Sequence, residues 1–129
     1  MRQTEDLKIL IAEDNQINQR LAILTFKQLG LLCDIASNGK IAFEMHQQKH
    51  YDLILMDMHM PVLGGLESTE LIRAYEKESG NGHSAFIVAL TGSELNERRR
   101  DCISAGMNDF MEKPLRTDWL RTLIARISM

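Results

Sequence analysis

Short apolar runs alternate along the chain with longer stretches in which apolar residues recur three or four positions apart. The runs are Leu7–Ala12, Leu31–Ala36, Leu53–Met56, Ala85–Leu90 and, more weakly, Met107–Met111. Such runs are too short for globular helices, and without polar alternation they predict strands buried on both faces. The stretches between them predict helices. Ile17, Leu21 and Leu24 recur at helical spacing ahead of Gly30, which serves as a C-terminal cap. Ser37-Asn38-Gly39 is a turn with Ser37 or Asn38 available as N-cap, and Ile41, Ala42 and Met45 mark a second helix ending near His50. Leu71, Ile72 and Tyr75 mark a third, and a fourth runs from about Glu94 to Ala105, closed by Gly106. The last helix has the cleanest stripe, Leu120, Leu123, Ile124 and Ile127, with Trp119 beside it. The polar segment Ser79–Ser84 is too short for a domain boundary and reads as a surface loop.

Five strands alternating with five helices predict an α/β fold, a doubly wound parallel sheet covered on both faces. Residues 1–6 read as a tail or linker and 7–129 as one domain without repeats. At 129 residues, 44% hydrophobic and 26% charged, the chain can bury a core without metal or disulfide staples. Its net charge of -3 argues against a nucleic-acid-binding face covering the molecule, and no apolar run is long enough to span a membrane. The polar start lacks the apolar segment of a secretory signal. Cys33 and Cys102, without CxxC spacing, are expected as two buried free thiols in a reducing cytoplasm.

In an open parallel sheet, ligands bind outside the carboxyl ends of the strands. The residues delivered there are Glu13 and Asp14 after the first strand, Asp57 after the third, Thr91 and Gly92 after the fourth, and Lys113 after the fifth. Three clustered carboxylates repel one another unless a cation neutralises them, and oxygen ligands with open water positions suit Mg²⁺. A lysine and a hydroxyl facing the same point complement phosphoryl oxygens. The set reads as a site for making and holding an aspartyl phosphate.

From Lys8 to about Ile127 the chain resembles the receiver domain of two-component response regulators. The resemblance is carried by Ile-Leu-Ile-Ala-Glu13-Asp14-Asn15, by Leu-Ile-Leu-Met-Asp57-Met-His-Met-Pro61-Val-Leu-Gly-Gly65, by Ala-Leu-Thr91-Gly92, and by Ala-Gly-Met-Asn-Asp-Phe110-Met-Glu-Lys113-Pro114. It implies a flavodoxin-like fold with strand order 2-1-3-4-5. It makes Asp57 the phosphoacceptor, and Asp14, Asp57 and the main-chain carbonyl of His59 direct ligands of Mg²⁺ (or Mn²⁺), with Glu13 acting mostly through water. Lys113 would pair with the phosphoryl group, Thr91 would donate its hydroxyl and Gly92 its N–H. Lys113-Pro114 matches the family's cis peptide, and His59 and Ser93 occupy positions that tune loss of the phosphoryl group. Thr91 and Phe110 would form the switch, biasing the surface of helix 4, strand 5 and helix 5. Phe110 stands where other receivers carry Tyr, so a switch using it works by packing.

The segments Glu13–Asn18 and Ala105–Asp109 resemble receivers of hybrid histidine kinases, and Arg2–Asp6 would fit a linker from preceding kinase domains. The implied partner is a histidine kinase or a histidine phosphotransfer domain; a phosphorylation-linked homodimer is left open. The domain would catalyse its own phosphorylation and dephosphorylation without turning over a separate substrate, and a longer parent chain would be a histidine kinase. No effector such as a helix-turn-helix is expected. A phosphohydrolase of the haloacid-dehalogenase type needs an acid two residues past its nucleophile, where this chain has His59. A degenerate interaction module would lack the acceptor, lysine or acidic pair, all of which are present. A flavodoxin would need a hydroxyl-rich phosphate loop in place of Glu13-Asp14-Asn15. His46 and His50 have zinc-ligand spacing but no third ligand in sequence, and are expected to be a surface pair. Arg98-Arg99-Arg100 is expected to be a solvated face, and the eight methionines core filler.

Overall fold

A computed structural model describes residues 6–92 and 95–128, the side chains of 95–98 excepted. The elements run β1 (Ile9–Ala12), α1 (Gln16–Gln28), β2 (Asp34–Ala36), α2 (Gly39–Lys49), β3 (Leu53–Asp57), α3 (Gly65–Ser79), β4 (Phe86–Thr91), α4 (Leu95–Ala105), β5 (Asp109–Glu112) and α5 (Thr117–Ile127). The strands form one parallel sheet in the order β2-β1-β3-β4-β5, as the resemblance implies. Every residue of β3, the central strand, is buried. That is why its sequence lacks the polar alternation of a half-exposed strand.

Side chains alternate across the sheet and build a core on each face. Ile9, Ile11, Leu53 and Leu55 pack with Phe26 of α1 and Leu120, Leu123 and Ile124 of α5. Leu10, Ala12, Ile54 and Met56 pack with Ala42 of α2, Ile72 of α3 and Cys102 of α4. Each fully buried aliphatic side chain contributes about 1.5–3 kcal/mol.

Strand ends are set by pairing rather than hydrophobicity. β2 has β1 as its one neighbour, and the register begins at Leu10↔Asp34, so Leu31–Cys33 precede the strand and Leu32 is exposed. β4 and β5 both extend beyond their apolar runs because Thr91 pairs with Glu112. Helix starts are set by capping. The Asn15 and Asn38 side chains accept from the N–H groups of Asn18 and Ile41. Gly30, at φ +76, turns the chain out of α1 as expected.

Three expectations need correction. The stripe Ile17, Leu21 and Leu24 marks α1 but faces solvent, at 70%, 53% and 55% exposure, whereas Ala22 and Phe26 face the core. His46 is fully buried rather than half of a surface pair. Cys102 is buried, but Cys33 is half-buried; both are free. Burial nonetheless pushes the Cys33 thiol up to about 11, helped by the charge of Asp34, so it stays protonated and unreactive.

Candidate functional site

Parallel register brings the chemistry together. Ala12 pairs with Met56 and Asp57 with Leu90, so Glu13 and Asp57 leave neighbouring strands at the same edge. Lys113 comes directly after β5, and its main-chain N–H donates to the Thr91 carbonyl at 2.8 Å, fixing the lysine beside the end of β4. The side chain of Lys113 then spans the gap. Its Nζ lies 3.0 Å from Asp57 Oδ2 and 3.2 Å from Glu13 Oε1.

Carboxylate oxygens of Glu13, Asp14 and Asp57 all lie within 4.8 Å of one another. Glu13 and Asp57 are buried and Asp14 is exposed. Burial raises the pKa of Glu13, the Asn15 N–H opposes this, and the charge of Asp57 raises it further. Burial disfavours the charged Lys113, but the hydrogen bond and charge of Asp57, with Glu13 adding to them, hold its pKa above the ordinary lysine value. One ammonium against three carboxylates leaves excess negative charge on hard oxygen donors, with Asp14 open to water. That donor set fits Mg²⁺.

Of the remaining predicted residues, His59 follows β3 and Thr91 ends β4 at this same edge. The His59 N–H donates to Asp57 Oδ1 at 3.2 Å, while the His59 side chain is exposed. Thr91 is buried, and its hydroxyl donates to the Gly92 carbonyl at a long 3.3 Å. Gly92 is half-buried beside it. The Lys113-Pro114 peptide is cis. Phe110 is half-buried, and Arg99 and Arg100 are exposed as expected, the Arg99 guanidinium lying 5.0 Å from the Phe110 ring centroid. Ser93 and the side chain of Arg98 lie outside the described residues.

Sequence reasoning missed the groups that hold Glu13. The Asn15 N–H donates to Glu13 Oε2 at 3.1 Å, and Gln19 Nε2 donates to the Glu13 carbonyl at 2.6 Å. Asn15, as the N-cap of α1, was the available signal. It also missed a cavity of about 360 Å³ between α1 and the start of the β5–α5 connection, lined in part by Leu21, Ala22, Pro114 and Leu115 and reaching Glu13 and Lys113.

His46 and His50 gain a neighbour that spacing could not reveal. The His83 ring lies 6.0 Å and 5.8 Å from theirs. His46 Nδ1 accepts from the Tyr51 N–H and its Nε2–H donates to Glu76, so both of its ring nitrogens are occupied. Among the described residues, the acidic trio is the one group of three or more side chains that converge as metal ligands.

The response regulator receiver domain family matches residues 9–125. The chain belongs to this family. The receiver is 39% identical over 121 residues to hybrid signal transduction histidine kinase K of Dictyostelium discoideum, covering 92% of the receiver but 10% of that kinase. It resembles the receiver domain of the Saccharomyces cerevisiae response regulator Ssk1, solved with the histidine phosphotransfer protein Ypd1, at TM-score 0.85 and 32% identity over 95% of this chain and 88% of that one. It also resembles the receiver domain of a Pseudomonas aeruginosa sensor histidine kinase with magnesium in its active-site cleft, at TM-score 0.82 and 35% identity over 95% of this chain and 98% of that one. The receiver thus carries the acidic Glu13, Asp14 and Asp57 cluster typical of the Mg²⁺-binding phosphoacceptor site in this family. No helix among its described residues is long and apolar enough to cross a membrane.

Proposed function

We propose that this receiver accepts a phosphoryl group from a histidine onto Asp57 in a Mg²⁺-dependent step of a phosphorelay, as part of a hybrid sensor histidine kinase. The observation that carries the reading is the Asp57 carboxylate held between the Lys113 ammonium and two further carboxylates. Asp14, Asp57 and the main-chain carbonyl of His59 would hold the metal directly, with Glu13 acting through water. A bound Mg²⁺ (or Mn²⁺) supplies positive charge to the carboxylates and to the phosphoryl oxygens.

A carboxylate oxygen of Asp57 attacks phosphorus, an O–P bond forms, and the P–N bond to the donor imidazole breaks with its electron pair leaving on nitrogen. Asp57 loses its charge in the product, so the Lys113 ammonium turns from the carboxylate to a phosphoryl oxygen. The long Thr91 contact to Gly92 is cheap to give up, freeing the hydroxyl to donate to another phosphoryl oxygen, with the Gly92 N–H beside it. Vacated space behind Thr91 lets Phe110 turn inward and rebalances the surface of α4, β5 and α5. His59 at the rim sets how readily water reaches the acyl phosphate, a tuning role the family resemblance also implies for Ser93.

The donor docks on α1. Ile17, Leu21 and Leu24 form an exposed apolar stripe that leads through Leu21 into the cavity reaching Lys113. An unpartnered patch of this kind beside a reaction centre fits a protein partner that must bring its histidine to Asp57. The Ssk1 receiver, similar to this one, was solved with just such a phosphotransfer protein.

The test is intact-mass analysis after incubation with acetyl phosphate, with and without Mg²⁺, on the wild type and Asp57→Ala. The expected result is one Mg²⁺-dependent phosphoryl adduct on the wild type and none on the variant. A folded wild type that gains no adduct and binds no Mg²⁺ would overturn the reading.

A further inference from the structure

The loop between β3 and α3, residues 58–64, carries the His59 carbonyl, and its path is fixed from two sides. At its far end, Gly65 begins α3 directly against the acceptor: an added Cβ would stand 2.4 Å from the Asp57 carbonyl oxygen. Just before it, at Leu63 and Gly64, the loop lies on the first turn of α2. The Gly39 N–H donates to the Leu63 carbonyl at 2.9 Å. A Cβ on Gly39 would lie 2.3 Å from the Leu63 carbonyl oxygen and 3.0 Å from that of Gly64. Both neighbours are main-chain atoms, which cannot swing aside as a side chain would. Glycine is therefore needed at position 39 for close approach.

The same residue is tied to α3. Ser68 is fully buried, and its hydroxyl donates to the Gly39 carbonyl at 2.7 Å, while its own N–H donates to the Gly64 carbonyl at 3.0 Å. Asn38 caps α2 at the Ile41 N–H and holds this first turn in place. Gly39 thus takes the loop with its N–H and α3 with its carbonyl. Neither Gly39 nor Ser68 touches a reacting atom, yet together they set where the end of the loop passes, at Leu63 and Gly64.

We propose that Gly39 and Ser68 are positioning residues of the metal and phosphoryl site, seating the β3–α3 loop so that the His59 carbonyl faces the carboxylate cluster. The proposal rests on the reading of Asp57 as a Mg²⁺-dependent acceptor. Groups that orient a metal's direct ligands typically change affinity by about 10–100-fold when removed. The clamp acts one step further out, through the backbone, so the lower end applies.

The experiment uses Gly39→Ala, which intrudes on the loop, and Ser68→Ala, which removes the hydroxyl without adding bulk. Mg²⁺ affinity is measured by calorimetric titration, adduct formation from acetyl phosphate is tracked across Mg²⁺ concentrations, and hydrogen exchange at the residue-39 amide is measured without metal. Each folded variant is expected to bind Mg²⁺ about tenfold more weakly. Adduct formation should slow at low Mg²⁺ and recover at saturating Mg²⁺, and the residue-39 amide should exchange faster. In a variant that is fully folded without metal, a role in stability alone would leave Mg²⁺ affinity unchanged. Wild-type affinity in the folded variants would overturn the clamp and leave the acceptor reading intact. A wild type that neither binds Mg²⁺ nor takes up phosphate would overturn both. If Gly39→Ala does not fold, Ser68→Ala decides by itself.

Discussion

In the loop that follows the acceptor, Val62 trades backbone comfort for position. Val62 has φ +69, and the Leu63 N–H donates back to the Pro61 carbonyl at 2.7 Å, closing a three-residue turn about Val62. A β-branched residue in this region is an outlier, costing about 1–3 kcal/mol. The Val62 side chain is exposed, so its replacement loses little packing. Val62→Asn should therefore stabilise the receiver by about 1 kcal/mol, read as a higher urea midpoint with unchanged slope. A lower midpoint would mean that the valine packs more than its exposure indicates. Lys113 presents the opposite case, a side chain whose two ion pairs relieve a cluster that would otherwise repel itself.

Elements are tied together by polar networks as well as by the core. Arg73 of α3 donates to the carbonyls of Gly106 and Ala85 and to the side chains of Glu76 and Asn108, joining α3 to the ends of α4 and the starts of β4 and β5. Burial alone would raise the Glu76 carboxyl, but hydrogen bonds from His46, the Ala85 N–H and Arg73 hold it down at about 2. Because the folded-state value is depressed from the ordinary 4.5, this stabilisation is complete above that pH and drains away as pH falls through about 2. Its size is on the order of 3 kcal/mol. Glu76→Gln should lower stability at pH 7 and flatten the loss between about pH 4.5 and 2, measured by denaturant unfolding across pH. An equally steep acid limb in the variant would assign that limb to other carboxylates. α1 presents the reverse situation, an apolar face turned largely to solvent. Leu21→Glu with Leu24→Glu should change stability by less than about 0.5 kcal/mol. The pair should slow phosphotransfer from a phosphorylated histidine phosphotransfer protein while leaving acetyl phosphate labelling unchanged. Equal slowing of both donors would place the effect at the site instead of the docking face.

For the whole molecule, metal and fold are coupled through the charge cluster. Two buried carboxylates and an exposed one share a single ammonium, so without metal the receiver keeps part of the repulsion at one edge of its sheet. Mg²⁺ that binds the folded chain and not the unfolded one stabilises it by about 1.4 kcal/mol at ten times its dissociation constant. Chelation should lower the thermal midpoint by a few degrees without unfolding the protein, because the core on both faces is complete without metal. A midpoint insensitive to Mg²⁺ in the wild type, and equal to that of Asp57→Ala with and without the ion, would argue against metal at this site.

The order of elements, the parallel sheet and the acidic, threonine and lysine positions were legible in the sequence. Buried strands write themselves as apolar runs, and a parallel sheet delivers the residues just past each run to one edge. Local signals also narrowed the N-cap of α2 to Ser37 or Asn38, of which Asn38 serves, and placed the cap Gly30. Tertiary structure decided what periodicity cannot carry. A stripe at helical spacing marks a helix but not which way it faces, and on α1 the smaller Ala22 and the single Phe26 took the core while Ile17, Leu21 and Leu24 turned outward. The extent of β2 depended on where β1 could pair with it. The burial of His46 depended on Glu76, thirty positions away, and the seat of the β3–α3 loop on Gly39 meeting Leu63. These are contacts between segments distant in the chain, and a pattern read along the chain has no term for them.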